Sequence, residues 1–118
     1  MSDTQDLITI PISVTGQQIL DDLFKVQQFF DTELDAFLAS ASLALALGLP
    51  ALDDVGPSAG TKWNKGSGAI SEWSNLVSWY LPTDEPIKAL RDYGERGLRH
   101  VRDRLRQGRS FAEIFAAT

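Results

Sequence analysis

Apolar and polar residues alternate near the start of the chain. Residues Leu7–Val14 read LITIPISV, with Ile8, Ile10 and Ile12 on one side and Leu7, Thr9, Pro11 and Ser13 on the other. A period of two marks a half-buried strand, and Pro11, lacking an N–H, confines it to an edge or a two-stranded ribbon. The pattern then changes to that of a helix. Thr15 followed by Gln18 fits a capping box, and Ile19, Leu23, Val26 and Phe30 share a stripe facing away from Asp21, Asp22, Lys25 and Gln28. Asp31 or Thr32 caps a second helix, Glu33 to Leu47. Its residues Leu34, Phe37, Leu38, Ala41, Leu43, Leu45 and Leu47 cover nearly every face, which predicts a central buried helix. Gly48 suits the left-handed residue that ends it, and Pro50 stops it restarting.

Residues Asp53–Gly68 (DDVGPSAGTKWNKGSG) have no periodicity and read as a long Gly-rich surface loop. A third helix, Ala69–Leu81, places Ile70, Trp73, Val77 and Tyr80 on one side. A fourth starts at Thr83 or Asp84, with Pro86 in its first turn, and runs to about Gln107 before Gly108. Ser110 with Glu113 forms a capping box for a short last helix holding Phe111, Ile114 and Phe115. The expected fold is mainly α: about five helices in one compact domain spanning 1–118, with residues 1–6 a flexible acidic N-terminus. The short N-terminal strand is open to pairing across a homodimer.

The 118 residues are 43% apolar and 23% charged, as expected of a globular domain. With no cysteine and a single histidine, thiolate sites, disulfides and most zinc or Ser-His-Asp schemes are excluded, and no cofactor is expected. Met1–Asp6 lacks a signal-peptide core, and the uncharged stretch Ala36–Leu52 contains Ser40, Ser42, Gly48 and Pro50. A membrane span needs roughly 20 apolar residues, so the reading is a cytoplasmic protein with no membrane contact. The net charge of −5 is unevenly placed. Residues 1–60 carry nine acids against one lysine, and residues 61–118 carry ten Lys/Arg against seven acids. Either the basic half meets an external partner or the acidic half docks on it, within a monomer or a dimer.

Candidate chemistry is sparse. Gly56–Lys62 (GPSAGTK) has three residues between its glycines where a phosphate-binding loop needs four, and Trp63 follows the lysine in place of Ser or Thr. Lys62, Trp63 and Lys65 offer a ring to stack on a base and ammonium groups for phosphates; the competing reading folds Trp63 back on the core. The fourth helix carries the strongest signal. Ile87, Leu90, Gly94, Leu98, Val101 and Leu105 form an apolar stripe beside a basic stripe of Arg91, Arg99, Arg102, Arg106 and Arg109. Guanidinium groups suit phosphates and carboxylates alike, so the stripe fits a DNA backbone or an acidic protein partner. Asp92–Arg96, Glu95–Arg99 and Asp103–Arg106 are spaced to pair within the helix and would absorb part of that charge. Gly94 and Gly97 cost about 1 kcal/mol each relative to Ala, which predicts close approach of another helix, with Glu33–Leu47 the candidate. His100 has no second histidine to share a metal with, and the neighbouring acids offer no aimed general acid–base pair.

Two resemblances add to this. Residues 7–48, a strand and two helices, resemble ribbon-helix-helix DNA-binding proteins, in which strands of two protomers pair and enter the major groove. The outward Leu7, Thr9, Pro11 and Ser13 depart from that pattern, because none reads bases. Asp35-Ala-Phe…Leu45-Ala-Leu-Gly48, the Trp-rich middle and Tyr93-Gly-Glu-Arg-Gly97-Leu98…Leu105 are similar to small accessory proteins of DNA phosphorothioation (dnd) and related anti-phage systems. That resemblance implies a non-enzymatic, DNA-associated accessory or adaptor of a DNA-modification or phage-defence system. The alternative is a protein-interaction module, antitoxin-like or a scaffold subunit, binding a larger enzyme without touching nucleic acid.

Overall fold

The chain is described from a computed structural model covering residues 7–64 and 68–116; the acidic segment 1–6 lies outside the described residues. Strand β1 (Thr9–Ser13) leads directly into α1 (Val14–Asp21), which widens into one π-helical turn over Asp22–Val26. Helix α2 (Glu33–Ala46), strand β2 (Ser58–Asn64), α3 (Gly68–Tyr80), α4 (Pro86–Arg106) and α5 (Phe111–Phe115) follow. The protein is mainly α, with five helices and one strand pair among the described residues. Its radius of gyration of 13.7 Å is near the ~13.5 Å expected of a compact domain this long.

Two expectations about the strands change. Ser58–Asn64 is not loop: it pairs antiparallel with β1, Ile10 opposite Trp63 and Ile12 opposite Gly60. Seven residues with Gly60 among them and only Lys62 and Trp63 half-buried show no alternation to read, so the β1 ladder supplies what local preference does not. The partner of β1 thus comes from the same chain. Pro11 sits at one of two register shifts, where a missing donor is tolerated. Ile10 and Ile12 are buried as their alternation predicts, whereas Ile8 is 67% exposed.

The core is the crossing of α2 and α4. Phe37, Leu90, Leu98, Leu20, Leu23 and Ile70 are fully buried there and around it. Helix α2 begins at Thr32, whose hydroxyl accepts the Asp35 N–H at 3.0 Å, and ends where Gly48 takes φ +68°. The α1 cap is Ser13 rather than Thr15: the Ser13 hydroxyl accepts the Gly16 N–H at 2.8 Å. On α4 the two glycines do what their cost implied. A Cβ on Gly94 would overlap the Phe37 ring, and one on Gly97 would overlap the main-chain carbonyl of Ser40. Helix α5 opens with the expected capping box, Ser110 with Glu113. It is held by Phe111 and Phe115 against Phe29 and Phe30, with ring centroids 4.8 to 5.6 Å apart.

Helix α3 is the least embedded of the long helices. It buries Ile70, Ser74 and Val77 and leaves Leu76, Trp79 and Tyr80 in solvent. The expected position of Tyr80 on the inward side is corrected by its 74% exposure: it is the last residue of the helix, and the following Leu81 packs against the core instead.

Candidate functional site

The basic stripe of α4 divides once its partners are known. Arg91 bridges Asp92 (Nη2–Oδ1 2.7 Å), and Lys88 reaches the other carboxylate oxygen at 2.8 Å, so Asp92 pairs backward along the helix and not with Arg96. Arg99 is drawn inside. Its Nη1 donates to the fully buried Glu95 at 2.8 Å, and its Nη2 donates to the Val55 carbonyl at 2.9 Å. The oxygen that Arg99 reaches, Oε1, also accepts the Ser13 hydroxyl at 2.7 Å, and the other, Oε2, accepts the Ser13 N–H at 2.8 Å. One buried carboxylate therefore ties the β1–α1 junction to α4 and, through Arg99, to the segment before β2.

A serine hydroxyl 2.7 Å from a glutamate resembles a nucleophile and its base. Its surroundings assign it otherwise. Ser13 is 1% exposed and Glu95 0%, and a Cβ on Gly16 would meet the glutamate oxygen at 2.6 Å, leaving no room for a substrate. The group is a structural clamp.

Arg102 and Arg106 remain at the surface. Together with Thr15, Gln18, Ile19, Asp22 and Leu105 they line a hollow of about 380 Å³ between α1 and α4. Arg102 makes only a 3.1 Å contact to the adjacent, half-exposed Asp103, which is therefore not engaged with Arg106. Arg106 has no carboxylate partner among the described residues. Arg109 reaches Glu113 at 3.5 Å, around the end of the helix. The stripe is thus broken: two members are tied up, two are open, and one lies on a separate face.

The β2 residues are not a free auxiliary. Lys62 bonds Glu33 of α2 at 2.6 Å, and Trp63 packs its ring 4.9 Å from Phe37, so the fold-back reading of Trp63 is the observed one. Burial works against ionised Glu33, but the hydrogen bonds from Lys62 and Gln17, with the Lys62 charge, outweigh it and hold the carboxyl below its ordinary value. Lys65 lies outside the described residues.

Helix α3 carries a feature that its apolar spacing does not announce. Leu76, Trp79 and Tyr80 stand at i, i+3 and i+4, hence side by side, with exposures of 49, 89 and 74%. Trp73, Leu76, Val77 and Tyr80 also line an apolar hollow of about 220 Å³ closed by Ser42, Leu45 and Ala46 of α2. Between Gly68 and Tyr80 the only charged side chain is Glu72. The signal was present as an excess: α3 has more large apolar residues than one buried stripe can absorb.

Comparison with family models, with curated proteins and with solved structures returns no match for this chain. Among the described residues no group of three His, Cys, Asp or Glu could hold a metal ion, and no helix is long and apolar enough to cross a membrane.

Proposed function

We propose that the protein is a non-enzymatic interaction module that docks a protein partner through the aromatic face of α3. The exposure of Trp79 beside Leu76 and Tyr80 carries this reading. Single surface hydrophobes are ordinary, but adjacent large ones beside an apolar hollow mark a contact surface. Trp and Tyr are the side chains that most often dominate binding energy, and a nearly charge-free patch suits the dry centre of an interface. The rest of the fold is a rigid mount for that helix: Ile70 and Val77 anchor it, and the α2–α4 crossing supports it.

Affinity capture with wild-type protein and with Trp79→Ser and Arg106→Gln variants tests the reading. A stoichiometric protein partner that survives nuclease, is lost with Trp79→Ser and is kept with Arg106→Gln supports it. A partner retained equally by Trp79→Ser overturns it.

A second reading has one observation in its favour: Arg106, with no carboxylate partner among the described residues, shares an open hollow with Arg102. It makes the α1–α4 side a contact for a nucleic-acid backbone, in keeping with a DNA-associated accessory role in a modification or phage-defence system. Binding would then weaken steeply with added salt and with Arg102→Gln or Arg106→Gln. Absence of gel shifts at low salt removes this reading.

A further inference from the structure

A second basic face lies on the far side of α4, away from Arg102 and Arg106. Arg96, His100 and Arg104 follow one another at i, i+4 and i+8 and so form one row. His100 and Arg104 join Arg109, Glu113 and Ile114 from the α5 side and Leu47 from the end of α2 around a hollow of about 260 Å³. We propose that this hollow is a binding site for a phosphate monoester carried on a small apolar body.

Charge supplies the first half of the argument. Two carboxylates are near, and each is already engaged: Asp103 with Arg102 at 3.1 Å, and Glu113 with Arg109 at 3.5 Å and the Ser110 N–H at 3.1 Å. Arg104 has a single described partner, the Gln107 side-chain oxygen at 2.9 Å, which leaves most of its donors open. Arg96 has no carboxylate partner among the described residues, and its Nε is buried without any hydrogen-bond partner. Arg109 thus shares its charge with Glu113, while Arg96 and Arg104 have no carboxylate partner among the described residues. His100 registers their charge: burial first, then the charges of Arg104 and Arg96, hold the imidazole below its ordinary value, opposed only by Asp103. The α2 side contributes Leu47, which has no charge.

Chemistry and shape supply the second half. The guanidinium forks of Arg104 and Arg109 and an imidazole that can accept a proton match the oxygens of a phosphate dianion. Ile114, 3% exposed, and Leu47 give the hollow an apolar wall that a free inorganic ion would not use. A bound dianion would offset Arg104 and favour protonated His100, so binding and proton uptake are coupled.

His100 is the only histidine, so its imidazole NMR signal reports on this site alone. The full chain is titrated with pH in phenyl phosphate, in inorganic phosphate, and in sodium chloride of equal ionic strength, since screening of the arginines by itself raises the midpoint. The expected result is a larger upward movement with phenyl phosphate than with chloride, and weaker binding of inorganic phosphate. Arg104→Gln should weaken phenyl phosphate about tenfold or more, the size expected for loss of a charge-assisted hydrogen bond. Arg109→Gln, with folding checked by circular dichroism, provides a second variant. A movement no larger than chloride produces, or undiminished binding in both variants, overturns the proposal.

Discussion

Gly97 of α4 presses directly on the main-chain carbonyl of Ser40 in α2, so closely that a Cβ at position 97 would overlap it. A backbone carbonyl cannot rotate away as a side chain can. Gly97→Ala gains about 1 kcal/mol of helix propensity and loses more to overpacking, typically 1–3 kcal/mol and here toward or beyond the upper end. The expected outcome is a net loss of about 2 kcal/mol or more, read as a lower urea midpoint at unchanged slope. At Gly94 the obstacle is the Phe37 ring, so Gly94→Ala combined with Phe37→Leu should recover part of the loss of Gly94→Ala alone. A stabilised Gly97→Ala would mean that the helices do not cross at this distance.

The Glu95 clamp predicts a larger effect. Glu95→Ala leaves the buried Ser13 N–H and hydroxyl without their acceptor and Arg99 without its carboxylate. Breaking a buried pair by removing one partner costs about 3–5 kcal/mol, and the 18% exposure of Arg99 places this case at the lower end. Denaturant unfolding should show a loss of about 3 kcal/mol, and hydrogen exchange should speed first at the β1–α1 junction. A change below about 0.5 kcal/mol, the range of ordinary surface substitutions, would contradict the assignment.

Much of this was legible in the sequence, and the reasons are local. The caps at Thr32 and Ser110, the stop at Gly48 and the need for close approach at Gly94 and Gly97 are each set by a few adjacent residues. Strand β2 was not legible, because Ser58–Asn64 becomes a strand only through pairing with residues some fifty positions earlier. The arginines show the same limit. Helical spacing places Arg99 and Arg106 on one stripe, but only the packing of β1 against α4 turns one inward to Glu95 and leaves the other open. Apolar periodicity on α3 identifies Ile70 and Val77 as core and cannot say that Trp79 and Tyr80 stay largely exposed.

The Glu33–Lys62 bond predicts how acid acts on the fold. Folding lowers the Glu33 pKa, so the native state binds its proton less readily than the unfolded chain does. Its stabilising contribution is fully present above the ordinary carboxylate range and is lost as pH falls through the depressed folded value. Glu33→Gln should therefore be less stable than wild type at neutral pH, and the difference should shrink toward zero in strong acid. Thermal melts across that range check it; a difference independent of pH would show that the pair makes no contribution.

The docking claim is tested most directly by hydroxyl-radical footprinting of the isolated protein and of the complex recovered with its partner. Trp79 should be labelled readily in the free protein and protected in the complex, while Trp63, packed on Phe37, changes little between the two. Equal labelling of Trp79 in both states would contradict the account.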